Sequence, residues 1–288
     1  YLARATRMAL RDKNHPSIIT WSLGNESFRG PHHAAMAAWL RHYDPTRPVQ
    51  YESGDPGPEI SDIWAPMYAS VKTIRKRLAR PDEKRPAILC EYSYAKGNSN
   101  GNVFKYWELV DELPRFQGGF IWDWAAKALE KPLPDGRKIW EYGDPADEPT
   151  HVNRMCLNGI VWPDLRPKPG AIEIKKVQAP VRLFALNNRE LLSGRLKVIN
   201  RHLALNLDYL DIEWELLKNG LPVQSGRIKP LDVPAEGAWR GIQAGKNERA
   251  MISGATNLRV PFRLPRDYGE YMLNVRFCLA RAMPWARK

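Results

Sequence analysis

The chain has 288 residues, with 44 Lys+Arg against 32 Asp+Glu and a formal net charge of +12. Its 43% hydrophobic and 26% charged residues, with no apolar run near the roughly 18 residues of a membrane span, exclude disorder, collagen and a membrane helix. That length is enough for one large domain or two ordinary ones with a well-buried core.

Up to about residue 180, short runs rich in β-branched and aromatic residues alternate with helical stretches. The pattern predicts a helix over 2–11, a strand over 17–23 (SIITWSL), a helix over 32–43 and strands over 48–52 (PVQYE) and 62–68 (DIWAPMY). A helix over 71–78, a strand over 86–92 (PAILCEY), a helix over 103–113 and a strand over 117–124 (QGGFIWDW) complete it. Nearly continuous apolar strands alternating with helices indicate a parallel sheet covered on both faces. Five strands suit an open sheet, and they equally suit the last five units of an eight-fold barrel.

The densest basic run, 72–85 (KTIRKRLARPDEKR), fits one exposed helical face followed by a turn. It has no interleaved aromatics on which bases could stack, so no nucleic-acid partner is expected. Residues 1–180 hold 26 basic and 22 acidic side chains, and residues 181–288 hold 18 and 10, so the surplus lies mainly in the second part.

From residue 181 the texture changes to period-two alternation, over 195–199, 211–217, 258–264 and 270–278. Asn219-Gly220 lies between two such runs, and both residues tolerate the positive φ of a type I′ hairpin turn. This part reads as an immunoglobulin-like β-sandwich with a supporting or binding role, because it has no cluster of His, Cys or carboxylates suited to catalysis. Three cysteines, Cys90, Cys156 and Cys278, are too few for a disulfide framework and lack the paired spacings of a zinc site, which fits a reducing, cytoplasmic setting. The chain begins at Tyr1 and stops just after a strand-like run, so a piece of a longer protein is expected.

Glu26 and Glu91 stand at the C-terminal ends of predicted strands, the face on which barrel active sites are built. Strands of one barrel converge, so two carboxylates 65 residues apart in sequence can face each other across a cleft. Opposed carboxylates are what glycoside hydrolysis needs, one to protonate the leaving oxygen and one to attack or to activate water. A single Glu after a strand is otherwise a helix cap or an ion-pair partner.

The contexts of these glutamates carry a resemblance. The run from Arg11 to Ser27 (RDKNHPSIITWSLGNES) resembles the acid/base signature of glycoside hydrolase family 2, in the form carried by large bacterial β-galactosidases. Ile88-Leu89-Cys90-Glu91-Tyr92 with Gly97-Asn98-Ser99 resembles the nucleophile segment of that family. Further similar stretches follow in order: Arg47 to Glu52, Pro66-Met67-Tyr68, Gln117 to Trp124, and Cys156-Leu157-Asn158-Gly159.

The resemblance implies the C-terminal part of a (β/α)8 TIM barrel over 1–180, followed by an incomplete immunoglobulin-like β-sandwich over 181–288. It implies a retaining hydrolase that releases terminal β-D-galactose from β-galactosides such as lactose, a homo-oligomer in its complete form. A β-glucuronidase of the same family and a non-catalytic carbohydrate-binding or scaffold protein are the alternatives. By the same resemblance Glu26 is the general acid/base and Glu91 the nucleophile. Asn25 is the contact to the sugar 2-hydroxyl, Tyr68 the donor to the nucleophile and Trp122 the platform under the sugar ring. Magnesium and sodium ions are implied, with Glu26 a magnesium ligand and Asn158 and the carbonyl of Met155 sodium ligands; Asn158 would also contact the sugar. Their remaining ligands would lie upstream, and hard cations want several oxygens. Tyr94 replaces a histidine frequent in relatives, which bears on the contacts to the sugar hydroxyls, and Met155 stands where phenylalanine is frequent. His32 and His33 are expected to be solvated residues at a helix start.

Overall fold

In the computed structural model, which describes residues 1–141, 157–235 and 254–286, helices and strands alternate through a first unit, Tyr1–Gln178. They are α1 (Leu2–Asp12), β1 (Trp21–Ser22), α2 (Pro31–Tyr43), β2 (Val49–Tyr51), β3 (Ile63–Trp64), α3 (Val71–Leu78), β4 (Ala87–Tyr92), α4 (Phe104–Glu112) and β5 (Phe116–Ile121). A hairpin of β6 (Leu129–Pro132) and β7 (Lys138–Glu141) follows, and then α5 (Pro169–Val177).

Strands β1 to β5 form one parallel sheet in the order of the chain. This order decides between the two architectures open at the sequence level. A doubly wound open sheet reverses its strand order at a switch point, whereas each strand of a (β/α) barrel pairs with the next. The sheet is therefore part of a barrel.

The helices bury the faces that the apolar spacing marks. Ala5 and Ala9 of α1 and Met36, Ala37 and Leu40 of α2 share a core with Trp21, Val49 and Tyr51. Ile74 and Leu78 of α3 and Leu109 of α4 share a second with Ala87, Leu89 and Phe116. Helix α2 opens with Pro31, whose missing N–H costs nothing in a first turn, and the Ser70 side chain caps α3 by accepting from the Thr73 N–H. Glycine is required at position 119 of β5: a Cβ there would lie 2.7 Å from Leu89 Cβ and 2.9 Å from Leu89 O, so its absence lets β5 close against β4.

The second unit, Ala179–Lys288, contains β8 (Val181–Phe184), α6 (Asn188–Leu192), β9 (Arg195–Asn200), β10 (Leu210–Lys218), β11 (Leu221–Ile228), β12 (Ala255–Arg259) and β13 (Tyr271–Leu279). Two antiparallel sheets, β11-β10-β13 and β12-β9-β8, contribute to one core that contains Leu196, Val198, Ile212, Trp214, Leu216 and Leu258. Asn219 and Gly220 have φ of +49° and +81°, as a type I′ turn requires, and Lys218 pairs with Leu221 across it.

Several expectations change, among them the strand over 62–68, which contracts to Ile63–Trp64. The strand over 17–23 contracts to Trp21–Ser22, and the run over 258–264 is a strand over Ala255–Arg259, ending ahead of Pro261, which has no N–H to donate. His33 is buried and its ring stacks on Tyr51 at 4.4 Å, while His32 remains exposed. The α2 periodicity places His33 on the face that carries Met36, Ala37 and Leu40. Among the described residues no helix is long and apolar enough to cross a membrane, and Cys90 and Cys278 are free. Met155 and Cys156 lie outside the described residues.

Candidate active site

Each of the five parallel strands delivers polar or aromatic groups just at or after its C-terminal end: Asn25 and Glu26 after β1, Glu52 after β2, Tyr68 after β3, Glu91 within β4 and Trp122 after β5. There, a cavity of about 440 Å³ is lined by Asn25, Gln50, Glu52, Cys90, Glu91 and Trp122 together with Ser22 and Gly24. The sequence reading identifies Asn25, Glu91 and Trp122 but not Gln50, Glu52 or Cys90. Glu52 is recoverable by the rule that finds Glu26 and Glu91, since it too closes a predicted strand.

Glu91 is fixed by Tyr68. The phenol Oη donates to Glu91 Oε2 at 2.8 Å, and the Tyr68 backbone N–H donates to Glu91 O at 2.8 Å, so one residue holds the other at both its side chain and its main chain. Tyr68 adopts φ +49°, a left-handed conformation uncommon outside glycine and a sign of local constraint. Partial burial and then the bond to Glu91 push its phenol pKa up, which keeps it a donor. The Tyr94 ring lies beside that of Tyr68, with centroids 6.1 Å apart. Burial, followed by the nearby Glu52 and Glu91, pushes the Cys90 thiol up to about 12, so Cys90 lines the cavity as a neutral thiol.

Glu26 is exposed, and its backbone N–H donates to Glu52 Oε1 at 2.6 Å. Asn158 is buried on a segment tied to the end of β5. Ala95 N–H donates to Trp122 O at 2.6 Å, Gly159 N–H donates to Ala95 O at 2.8 Å, and Lys168 Nζ donates to Leu157 O at 2.5 Å. A Cβ on Gly159 would lie 2.2 Å from Ala126 N, so only glycine permits this approach. Lys127 pairs with Asp123 and its ammonium lies 4.9 Å from the centroid of the Trp122 ring. Among the described residues no three His, Cys, Asp or Glu gather into a metal-binding group. Glu26 and Asn158 therefore do not complete a magnesium or sodium site between them.

A consecutive parallel barrel sheet with carboxylates at its strand ends is the layout of the barrel glycosidases; here Glu52 and Glu91 line the cavity, and Glu26 is not among its lining residues. The chain belongs to the glycosyl hydrolases family 2: residues 1–183 match the description "Glycosyl hydrolases family 2, TIM barrel domain", and residues 196–288 match "Beta-galactosidase, domain 4". It is 39% identical over 298 residues to a β-galactosidase of Photobacterium profundum, covering 100% of this chain and 27% of that protein. It is 41% identical over 249 residues to a β-galactosidase of Klebsiella pneumoniae, covering 83% of this chain and 24% of that protein. The chain thus spans about a quarter of the length of the curated relatives it matches. Among solved structures, a β-glucuronidase of Parabacteroides merdae is 14% identical, with a TM-score of 0.42 and coverage of 97% of this chain and 38% of that chain.

Proposed function

We propose that the chain is the part of a β-galactosidase that carries both catalytic carboxylates, and that the complete enzyme removes terminal β-D-galactose from substrates such as lactose with retention of configuration. The observation that carries this reading is the Tyr68–Glu91 hydrogen bond at the rim of a cavity that also takes in Asn25 and Trp122. The family and the β-galactosidase relatives support it.

In this reading Glu91 attacks the anomeric carbon while Glu26, in its protonated form, gives its proton to the departing glycosidic oxygen. The glycosidic C–O bond breaks as the ester to Glu91 forms. Glu26, now a carboxylate, takes a proton from water as that water attacks the same carbon, and Glu91 leaves with galactose released. Asn25 holds the 2-hydroxyl, the Trp122 ring faces the sugar C–H groups, and Tyr94 and Asn158 supply further sugar contacts. Magnesium and sodium would be held by the complete protein, to which this chain would contribute Glu26, Asn158 and the Met155 carbonyl. Residues 181–288 follow the barrel in sequence as an immunoglobulin-like sandwich, and the complete enzyme is a cytoplasmic homo-oligomer serving lactose catabolism.

The test uses the complete enzyme. Glu26→Gln still forms a glycosyl-enzyme with a dinitrophenyl β-galactoside, whose leaving group needs no proton, although release slows for want of a base. Glu91→Gln forms none with any substrate. Mass spectrometry after mixing reads the difference, and a covalent adduct on the Glu91 variant would mean the roles are misassigned.

A further inference from the structure

The loop after β1 carries Glu26 at φ +49° and Phe28 at φ +54°, two non-glycine residues in the left-handed region. Such conformations persist where surrounding contacts overdetermine them. Here three successive loop N–H groups donate to three successive side chains at the end of β2. Glu26 N–H donates to Glu52 Oε1 at 2.6 Å, Ser27 N–H to Tyr51 Oη at 3.2 Å and Phe28 N–H to Ser53 Oγ at 3.0 Å. Tyr51 Oη donates back to Phe28 O at 2.6 Å, which closes the arrangement.

From this we infer that Glu52 is a positioning residue for the acid/base, an inference that rests on the reading of Glu26 as that group. Glu52 offers a carboxylate acceptor, the strongest kind for a backbone N–H, and its bond is the shortest of the three. It acts on Glu26 itself, and it lines the cavity alongside Asn25 and Glu91. Without that acceptor the Glu26 backbone is free to leave the left-handed region, which swings its carboxyl away from the leaving oxygen. General acid catalysis tolerates little such displacement. Tyr51 Oη and Ser53 Oγ hold the neighbouring peptides and leave the Glu26 N–H to Glu52 alone among these three.

The experiment compares two substrates in the complete enzyme. An alkyl β-galactoside needs its leaving oxygen protonated and a dinitrophenyl β-galactoside does not. Glu52→Ala is expected to lower kcat/KM for the alkyl substrate about 100-fold and for the dinitrophenyl substrate less than about threefold. In Glu52→Gln the amide oxygen still accepts, so at least tenfold of the alkyl loss returns. Glu52→Leu, similar in size and without an acceptor, gives the same split as alanine and serves if alanine leaves the fold unstable. Equal losses on both substrates, or a glutamine variant as impaired on the alkyl substrate as alanine, would overturn the inference and make Glu52 a sugar contact or a fold residue. Glu26→Gln run on the same pair separates the two layers. A split there with none in Glu52→Ala removes only the positioning role, and no split in Glu26→Gln removes the acid assignment and this inference with it.

Discussion

Tyr68 grips Glu91 through both side chain and backbone, and in the nucleophile role proposed for Glu91 that grip would matter twice. As Glu91 attacks, the phenol O–H keeps one oxygen occupied and aims the other. When the glycosyl ester breaks, the same O–H stabilises the charge returning to the carboxylate. Removing one donor from a developing charge typically costs about 10² in rate, so Tyr68→Phe in the complete enzyme should lower kcat by about that factor. Because ester breakdown suffers most, intermediate accumulates and KM falls with kcat. A stopped-flow burst of dinitrophenolate followed by slow turnover is the expected trace, and wild-type turnover in the variant would sink the role. That Asn25, Glu91 and Trp122 meet at one cavity and that Tyr68 holds Glu91 is legible because each sits in a distinctive local run at a strand end. The bond from Glu26 to Glu52 is not, since it joins residues 26 apart in sequence through a backbone donor, and no local pattern marks such a contact.

At the level of elements, the basic run over 72–85 is built into the barrel as a set of ion pairs. Arg75 pairs with Glu112, Arg77 with Asp55 and Glu83, Arg80 with Asp82, and Arg85 with Glu83. Glu83, just ahead of β4, is the buried centre, and Arg85 also donates to Pro56 O and Ser61 O, tying the β2–β3 connection to the start of β4. The Arg85 and then the Arg77 guanidinium hold the Glu83 carboxyl at about 2, against an ordinary value near 4.5. A carboxyl depressed on folding contributes stability above its unfolded pKa and loses it as pH falls through the folded one. Glu83→Gln leaves two half-buried arginines short of a charge. The cost lies between the ~1 kcal/mol of an exposed pair and the roughly 3–5 kcal/mol of a fully buried one, about 2 kcal/mol. Thermal unfolding of the complete protein should place the variant below wild type at pH 7, with the gap roughly halved at pH 3. A gap that holds or widens in acid would contradict the assignment.

The same scale explains which elements the sequence disclosed. Strand β4 opens on the apolar run Ala87 to Cys90 with no exposed residue, as cover on both faces demands, and β10 alternates buried and half-buried residues in period two. The β6–β7 hairpin escapes notice because β6 is exposed along its whole length, so no apolar period marks it. Helix α5 buries only Ile174 and gives too faint a stripe to be read.

Taken whole, the molecule pairs two units with different claims to independence. The second has a closed hydrophobic core drawn from both of its sheets, with Trp214, Ile212 and Leu216 facing Leu196, Val198 and Leu258 in one cluster. Antiparallel sheets tolerate solvent on one face, and that is how β10 and its neighbours are patterned. Among the described residues the parallel sheet of the first unit has five strands, with β1 and β5 outermost, where a closed (β/α) barrel has eight. Phe120 of β5 is 60% exposed and Trp124 just beyond it 66%, so apolar surface lies along that edge. Unpaired edges bearing apolar side chains invite association with other chains. Limited proteolysis of the 288-residue chain should therefore leave a resistant fragment beginning near Ala179 while Tyr1–Gln178 is degraded, and residues 179–288 expressed alone should melt in one cooperative step. The intact chain should turn over no nitrophenyl β-galactoside. Preferential survival of the first unit, or steady turnover by monodisperse chain, would mean that five strands suffice to hold Glu26 and Glu91 in working geometry.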